Sequence, residues 1–574
     1  MLFSQVVQFV AENRGLILIM RKTSKQIKEI LDTNRLNLKL CLNNKTQDIK
    51  TNLLLSELKK FLDTDLIITH LNICFQLFTT KNIKELLNYK NITSLVFSHN
   101  KIRVRGIKLI AKLMKEIKLQ KLNLCNCIDG SIRGDGNIGA VYIAKGLQIS
   151  TTLEILNLSY NKIDGKGIET ICKALAYCTQ LRCLNLEKNY FGDIGANFIA
   201  EAINNGMYKL TDLNINKNNI EEFQNIENAL VKCSSLTNLN IGYNKGCDNI
   251  CTIKSTILIY KKLTILDISY SHIGKNGVII FSKILSQLIT LSYLDIRGND
   301  IGPEEATIFA NGLKECKELQ SLKLNDNILR PEGAAYIADA LKECSKLNTL
   351  ELDFCEIESA GATSIAGILK YCISITNLSF IGNNIGTDGV NSIKDVLSNN
   401  TFPVLKYLNL ENNYIGQNNG IQNFVLILKL CPLIKLNLYN NVIGSIGLIY
   451  LADILPRCQT LIELNLSYNR INQINKLIIV LPRCSLQILN LYNNKIDTFG
   501  VLKLADVLPQ CTTLTDLNLM SNLIGPEAAN KLISVLPQCR LKYLDLNNNN
   551  LGEDTINRLK ILHSSNTTQT KVIF

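Results

Sequence analysis

Leu291-Ser-Tyr-Leu-Asp-Ile-Arg-Gly-Asn299 runs through Asp300 into Ile301-Gly-Pro-Glu-Glu-Ala306 and on to Leu313. Leu291, Leu294 and Ile296 hold places one, four and six of a nonamer that ends on asparagine. That spacing predicts a short strand with one buried face. Asn299 leaves the strand, and its amide is suited to pairing backbone groups of the turn. Pro303 then fits a first helical turn, and Glu304 and Glu305 favour the positive end of a helix dipole. Ala306, Phe309, Ala310 and Leu313 recur at helical spacing. At Leu319, 28 residues after Leu291, the pattern starts again.

The same LxxLxLxxN string ends on Asn161, Asn189, Asn218, Asn244, Asn327, Asn383, Asn413, Asn441, Asn469, Asn494, Asn522 and Asn549. Asn100 closes an earlier copy, with Ile92, Leu95 and Phe97 in its apolar places, and Cys127, Ser271 and Cys355 take the ninth place in three more. Seventeen copies give sixteen intervals averaging 28 residues. One such unit cannot bury its own apolar face, so the copies must stack. Strands sit about 4.8 Å apart and helices about 10 Å, so a stack with strands inside and helices outside has to curve. The expected fold is an α/β solenoid: a parallel inner sheet, outer helices and 28-residue repeats.

These residues resemble the ribonuclease-inhibitor-like class of leucine-rich repeats, found also in Nod-like receptors and in the Ran GTPase-activating protein. The resemblance spans about residues 91–563 and implies a curved horseshoe that binds proteins on its concave face. Before it, two degraded units are expected at 35–90, on Leu38 and Leu40 with Asn43, and on Ile68, Leu71 and Ile73 with Gln76. Residues 1–34 are expected to form a helical cap. Glu553–Leu562 is expected to cap the far end, and 564–574 to be a flexible tail.

The chain has 574 residues, 46% of them hydrophobic, with 19% charged and a mean hydropathy of +0.11, which excludes wholesale disorder. No run of 18 apolar residues exists; Gly15–Met20 is the longest near the start, so no transmembrane insertion is expected. Glu12 and the missing early basic pair argue against a secretory signal. Formal charge is +13, yet residues 1–130 carry +12 of it, with 22 Lys and Arg against 10 Asp and Glu. Any attraction to an anionic surface therefore belongs to the N-terminal quarter. Its densest run is Arg103, Arg105, Lys108, Lys112 and Lys115; the plainer alternative is a solvated helix face.

Nineteen cysteines are an odd number for a disulfide framework. Cys178, Cys233, Cys316, Cys344, Cys372, Cys431, Cys458, Cys484, Cys511 and Cys539 all precede a strand by two or three residues. A small apolar side chain at that turn accounts for them, and thiols fit a cytosolic location or delivery into a host cytosol.

Motifs for chemistry are sparse. Gly134-Asp-Gly-Asn-Ile-Gly139 matches GxGxxG, but it lies in the longest interval, 34 residues from Cys127 to Asn161, where an enlarged turn needs glycine. No acidic residue of a following βαβ strand completes a dinucleotide site. Arg133-Gly134-Asp135 spells an adhesion tripeptide, frequent by chance. No GxxxxGK[ST] occurs, and Cys247 and Cys251 lack a second pair at zinc spacing. Asn157, Asn377 and Asn465 match a glycan sequon only as by-products of the strand pattern. Four histidines, His70, His99, His272 and His563, are too scattered for a metal site. The expectation is a non-enzyme without metal, cofactor or small-molecule substrate.

Places three, five and seven are expected on the concave face. Place five is asparagine in ten copies, more plausibly serving the coil than a partner. Departures from it nominate partner-binding residues: Asp267, Asp295, Glu351 and Asp353 as an acidic centre, and Tyr293, Tyr407, Tyr439, Tyr492 and Tyr543 as aromatic anchors. The leading reading is a protein-binding scaffold, a host-directed effector being one form of it. Regulation of a small GTPase and substrate delivery to a ubiquitin ligase are the alternatives. Against them, the chain lacks the acidic tail of the Ran regulator and an F-box pattern in residues 1–60.

Overall fold

The computed structural model describes residues 92–100, 102–128, 134–244, 261–398, 404–417, 420–565 and 570–574, with backbone alone at 7–10, 36–41, 68–74 and 562–565. It divides into two compact units, Met1–Ile273 and Gly274–Phe574. The division falls inside the expected array and needs no linker. It runs through one coil, leaving the strand Ile265–Asp267 in the first unit and the helix Gly274–Leu285 in the second.

In the first unit ten described strands, from Val7–Val10 to Ile265–Asp267, pair parallel in chain order. In the second, eleven strands do the same from Tyr293–Asp295 to Lys571–Ile573. Register is constant: Leu294, Leu322, Leu350, Leu378, Leu408 and Leu436 lie in one row. Leu153, Leu156 and Leu158 have no solvent exposure, as the spacing of places one, four and six requires. The helix Pro303–Leu313 starts at Pro303, and Glu305 accepts a hydrogen bond from the Gly302 N–H at 3.1 Å, capping it.

The ninth-place asparagine links each coil to the next. Asn327 Nδ2 donates to the carbonyls of Leu324 at 2.8 Å and Ile296 at 3.1 Å, while its Oδ1 accepts from Asn299 N at 3.0 Å and Ile301 N at 3.1 Å. The bonds to Asn299, Ile301 and Ile296 cross to the preceding coil. Where Cys355 replaces asparagine, its thiol donates to the Leu324 carbonyl at 3.3 Å. Just before this residue, place eight has positive φ in all seventeen described copies, from 48° at Asn440 to 65° at Gly382. That left-handed turn is the price of leaving the strand sharply, and it holds even at Tyr160, Tyr243, Tyr270, Phe354 and Tyr468.

Both chain ends differ from expectation. Val7–Val10 is a strand paired with Leu36–Cys41, inside the segment expected to be a helical cap; the remainder of 1–34 lies outside the described residues. At the other end Lys571–Ile573, expected as flexible tail, adds a strand beside Tyr543–Asp545. Without it the last coil would present an open sheet edge. Thr570 Oγ1 anchors it by donating to the Leu541 carbonyl at 2.7 Å. The expected cap helix is present as Glu553–Ser565.

Candidate protein-binding face

Leucines at places four and six point into the core, so places three, five and seven emerge on the opposite side of each sheet. Place-five asparagines bond their own coil, Asn240 excepted, whose buried Oδ1 has no hydrogen-bond partner among the described residues. Asn157 Oδ1 accepts from Ser159 N at 2.9 Å, Asn437 from Tyr439 N at 3.1 Å and Asn465 from Ser467 N at 3.0 Å. Asp267 and Asp295 accept the same bond from Ser269 N at 3.0 Å and Arg297 N at 3.3 Å. Carboxylate and amide are thus interchangeable in this role.

The acidic centre is not an open negative surface. Asp267 lies in the first unit, held by Ser269 and by Asn216 Nδ2 at 3.1 Å. In the second unit Asp295 is 1% exposed and paired with Arg297 at 2.6 Å. Glu351 pairs with Lys323 at 2.9 Å. Asp353 accepts from Ser379 Oγ at 2.5 Å, Ile381 N at 2.8 Å and Asn325 Nδ2 at 3.1 Å. Burial, opposed by the Ser379 and Ile381 bonds, raises its carboxyl to about 6. The cations answering Asp295 and Glu351 sit two residues and one period away, so the charges cancel locally.

The tyrosines separate into places. Tyr293, Tyr407 and Tyr543 hold place three, Tyr439 and Tyr492 place seven. Tyr407 is 37% exposed. Tyr543 is engaged at home, its hydroxyl donating to Asp545 at 2.9 Å with Lys571 5.7 Å from its ring. Tyr293 donates to Asp295 at 3.5 Å. Tyr439 and Tyr492 are joined by Tyr468, which sequence reasoning missed because it stands at place eight. Its ring lies 4.8 Å from Tyr439 and 5.1 Å from Tyr492, and its hydroxyl is 3.0 Å from that of Tyr492.

Between the strands Thr349–Glu351 and Glu463–Asn465 the strand face of the second unit sinks into a hollow of about 450 Å³. Glu351, Asp353, Ile381, Tyr407, Lys435 and Glu463 are among its lining residues. Ser379, the shortest place-five side chain of this unit, deepens it. Lys435 and Glu463 pair at 2.7 Å on its rim. Ser379 and Ile381 were readable as departures from the repeat; Lys435 and Glu463 were readable as opposite charges one period apart.

Among the described residues no group of His, Cys, Asp and Glu is arranged to hold a metal ion, and no helix is long and apolar enough to cross a membrane. The fifteen described cysteines are thiols. Burial pushes those of Cys316, Cys344 and Cys511 up to about 12, so they are not poised as nucleophiles. In the GxGxxG stretch a side chain at Gly136 would clash with the Lys162 carbonyl, and one at Gly139 would meet Ile128 at 2.6 Å. Gly136 thus lets the helix approach the next coil, and Gly139 lets it approach Ile128 of its own. Cys247 and Cys251 lie outside the described residues. Arg103, Arg105, Lys108, Lys112 and Lys115 are all exposed on the helix Arg103–Glu116.

A leucine-rich repeat family profile matches residues 150–172, 261–281, 287–304, 343–366, 457–473 and 510–532, and a second matches 540–562. Comparison with curated proteins finds no match. Among solved structures, an internalin from Listeria monocytogenes is 19% identical, covering 75% of this chain and 88% of its own, with a TM-score of 0.32.

Proposed function

We propose that this chain, a member of the leucine-rich repeat proteins, is a non-catalytic scaffold that binds a protein partner on the strand face of its second unit. The observation that carries the reading is the hollow at Thr349–Asn465, where a short floor residue leaves Tyr407 and Ile381 accessible beside paired charges. An amphipathic ring next to aliphatic surface is the composition of interface hot spots. The place-five asparagines, spent on their own backbone, contribute wetness and little affinity. Ribonuclease-inhibitor-like ancestry agrees with the 28-residue period, and buried thiols agree with a cytosolic site of action, in the cell of origin or in a host.

The test is photo-crosslinking from position 407, on the strand face, against position 429, on an outer helix. Any captured protein is then titrated against purified wild type and Tyr407→Ala. Capture from 407 alone, with binding weakened about tenfold or more by Tyr407→Ala, supports the reading. Capture only from 429 refutes it. A captured small GTPase whose hydrolysis accelerates, or captured ubiquitin-ligase subunits, would replace it with one of the two alternatives.

A further inference from the structure

We propose that the outer surface formed by the helices Arg103–Glu116 and Asp135–Leu147 docks on an anionic lipid bilayer. On the first helix Gly106, Ile107, Ile110, Ala111, Leu113 and Met114 are buried, which turns Arg103, Arg105, Lys108, Lys112 and Lys115 outward. The second helix packs beside it. Lys108 Nζ and Lys145 Nζ both lie 5.6 Å from the Tyr142 ring centroid, so the cations of the two helices meet around one aromatic side chain.

Some lysines of other coils pair with carboxylates, as in Lys173 with Glu169 at 2.6 Å, Lys275 with Glu304 at 2.7 Å and Lys346 with Glu318 at 2.6 Å. Among the described residues the five cations have no such ion pair, and Glu116 is the helix's one acidic residue. With Lys145 the two helices set six cations against Glu116 and Asp135, and that positive excess calls for an anionic partner.

Apolar exposure selects which anion. Ile138 is 49% exposed, Val141 40% and Ile149 46%, and Ile138, Val141, Tyr142 and Lys145 follow one another at helical spacing on the same stripe. A nucleic acid offers aliphatic side chains little, since it is bound through phosphates and base stacking. A bilayer interface accepts them below the headgroups while phosphates meet the cations.

The experiment is co-sedimentation of the full chain with phosphatidylcholine vesicles, with and without about 30% phosphatidylserine. Binding is expected only with phosphatidylserine, falling about tenfold or more between roughly 0.1 and 0.5 M salt. Lys108→Glu with Lys112→Glu and Lys115→Glu should lower partitioning roughly a hundredfold or more. Ile138→Asn with Val141→Asn should weaken it several-fold at unchanged charge. Melting curves check that the variants fold, and Lys→Gln replacements at 108, 112 and 115 give the same ranking should the reversal not fold. No binding to phosphatidylserine vesicles, or binding that survives loss of the three lysines, overturns the proposal. Binding indifferent to Ile138 and Val141, or RNA bound where vesicles are not, assigns the surface to soluble polyanions instead.

Discussion

At the scale of single residues, the asparagine that closes each nonamer carries the most structural weight per atom. Asn327 is fully buried and its amide satisfies backbone groups of two coils. Asn327→Ala should cost about 1–3 kcal/mol, because alanine leaves those groups unpaired in the interior; chemical denaturation measures it, and a neutral result would remove the ladder from the account. Asp353 makes a prediction with a definite sign. Its carboxyl is raised to about 6 from 3.8, so the folded chain holds a proton there that the unfolded chain releases earlier. Its contribution is fully present below about pH 4 and is lost as pH rises through about 6. The stability of wild type minus that of Asp353→Asn should therefore fall across that window, by an amount on the order of 3 kcal/mol. A flat difference would show that the carboxylate is not penalised by its burial. Cysteine chemistry is silent by comparison: with the described cysteines present as thiols, dithiothreitol should leave the melting temperature unchanged, and a large drop would contradict the reading of the cysteines as packing residues.

At the scale of the strand, turn and helix, places one, four, six and nine were legible because the same residue types recur there. Their physical demand, an apolar face and one amide, admits few alternatives. Place eight was not legible, although its backbone is the most uniform feature of the repeat. His99, Lys188, Phe354 and Ser521 share a left-handed φ that no common side chain announces. The closing strand Lys571–Ile573 was hidden for another reason: three residues in a polar tail carry no periodicity, and only the open edge beside Tyr543–Asp545 recruits them. Candidate site residues were legible as departures from consensus, but whether a departure faces a partner depends on neighbours one period away. Glu351 departs and finds Lys323; Tyr407 departs and stays exposed. On the strand Tyr407–Asn409 and its neighbour Lys435–Asn437, Tyr407→Ala should therefore weaken partner binding by about 2 kcal/mol while barely changing stability. Asn437→Ala should do the reverse, affecting the Tyr439 turn more than affinity; calorimetric titration with the captured partner separates the two, and the opposite ranking would reject the anchor assignment.

At the scale of the whole molecule, stability and recognition are distributed differently. Stability is a sum over neighbouring coils, so removing one buried leucine such as Leu350 should cost about 2–5 kcal/mol wherever in the stack it lies. Recognition is proposed where repetition lapses: at the hollow between Thr349–Glu351 and Glu463–Asn465, and at Arg103, Arg105, Lys108, Lys112 and Lys115, which form no ion pair among the described residues. Charge follows the same division, since +12 of the formal +13 falls within residues 1–130. The most direct test of the scaffold reading is hydrogen–deuterium exchange of the full chain with and without its crosslink-identified partner. Protection is predicted at the strands from Thr349–Glu351 to Glu463–Asn465, with the helices behind them unchanged. Protection of the outer helices alone, leaving those strands as they are in the free protein, would contradict it.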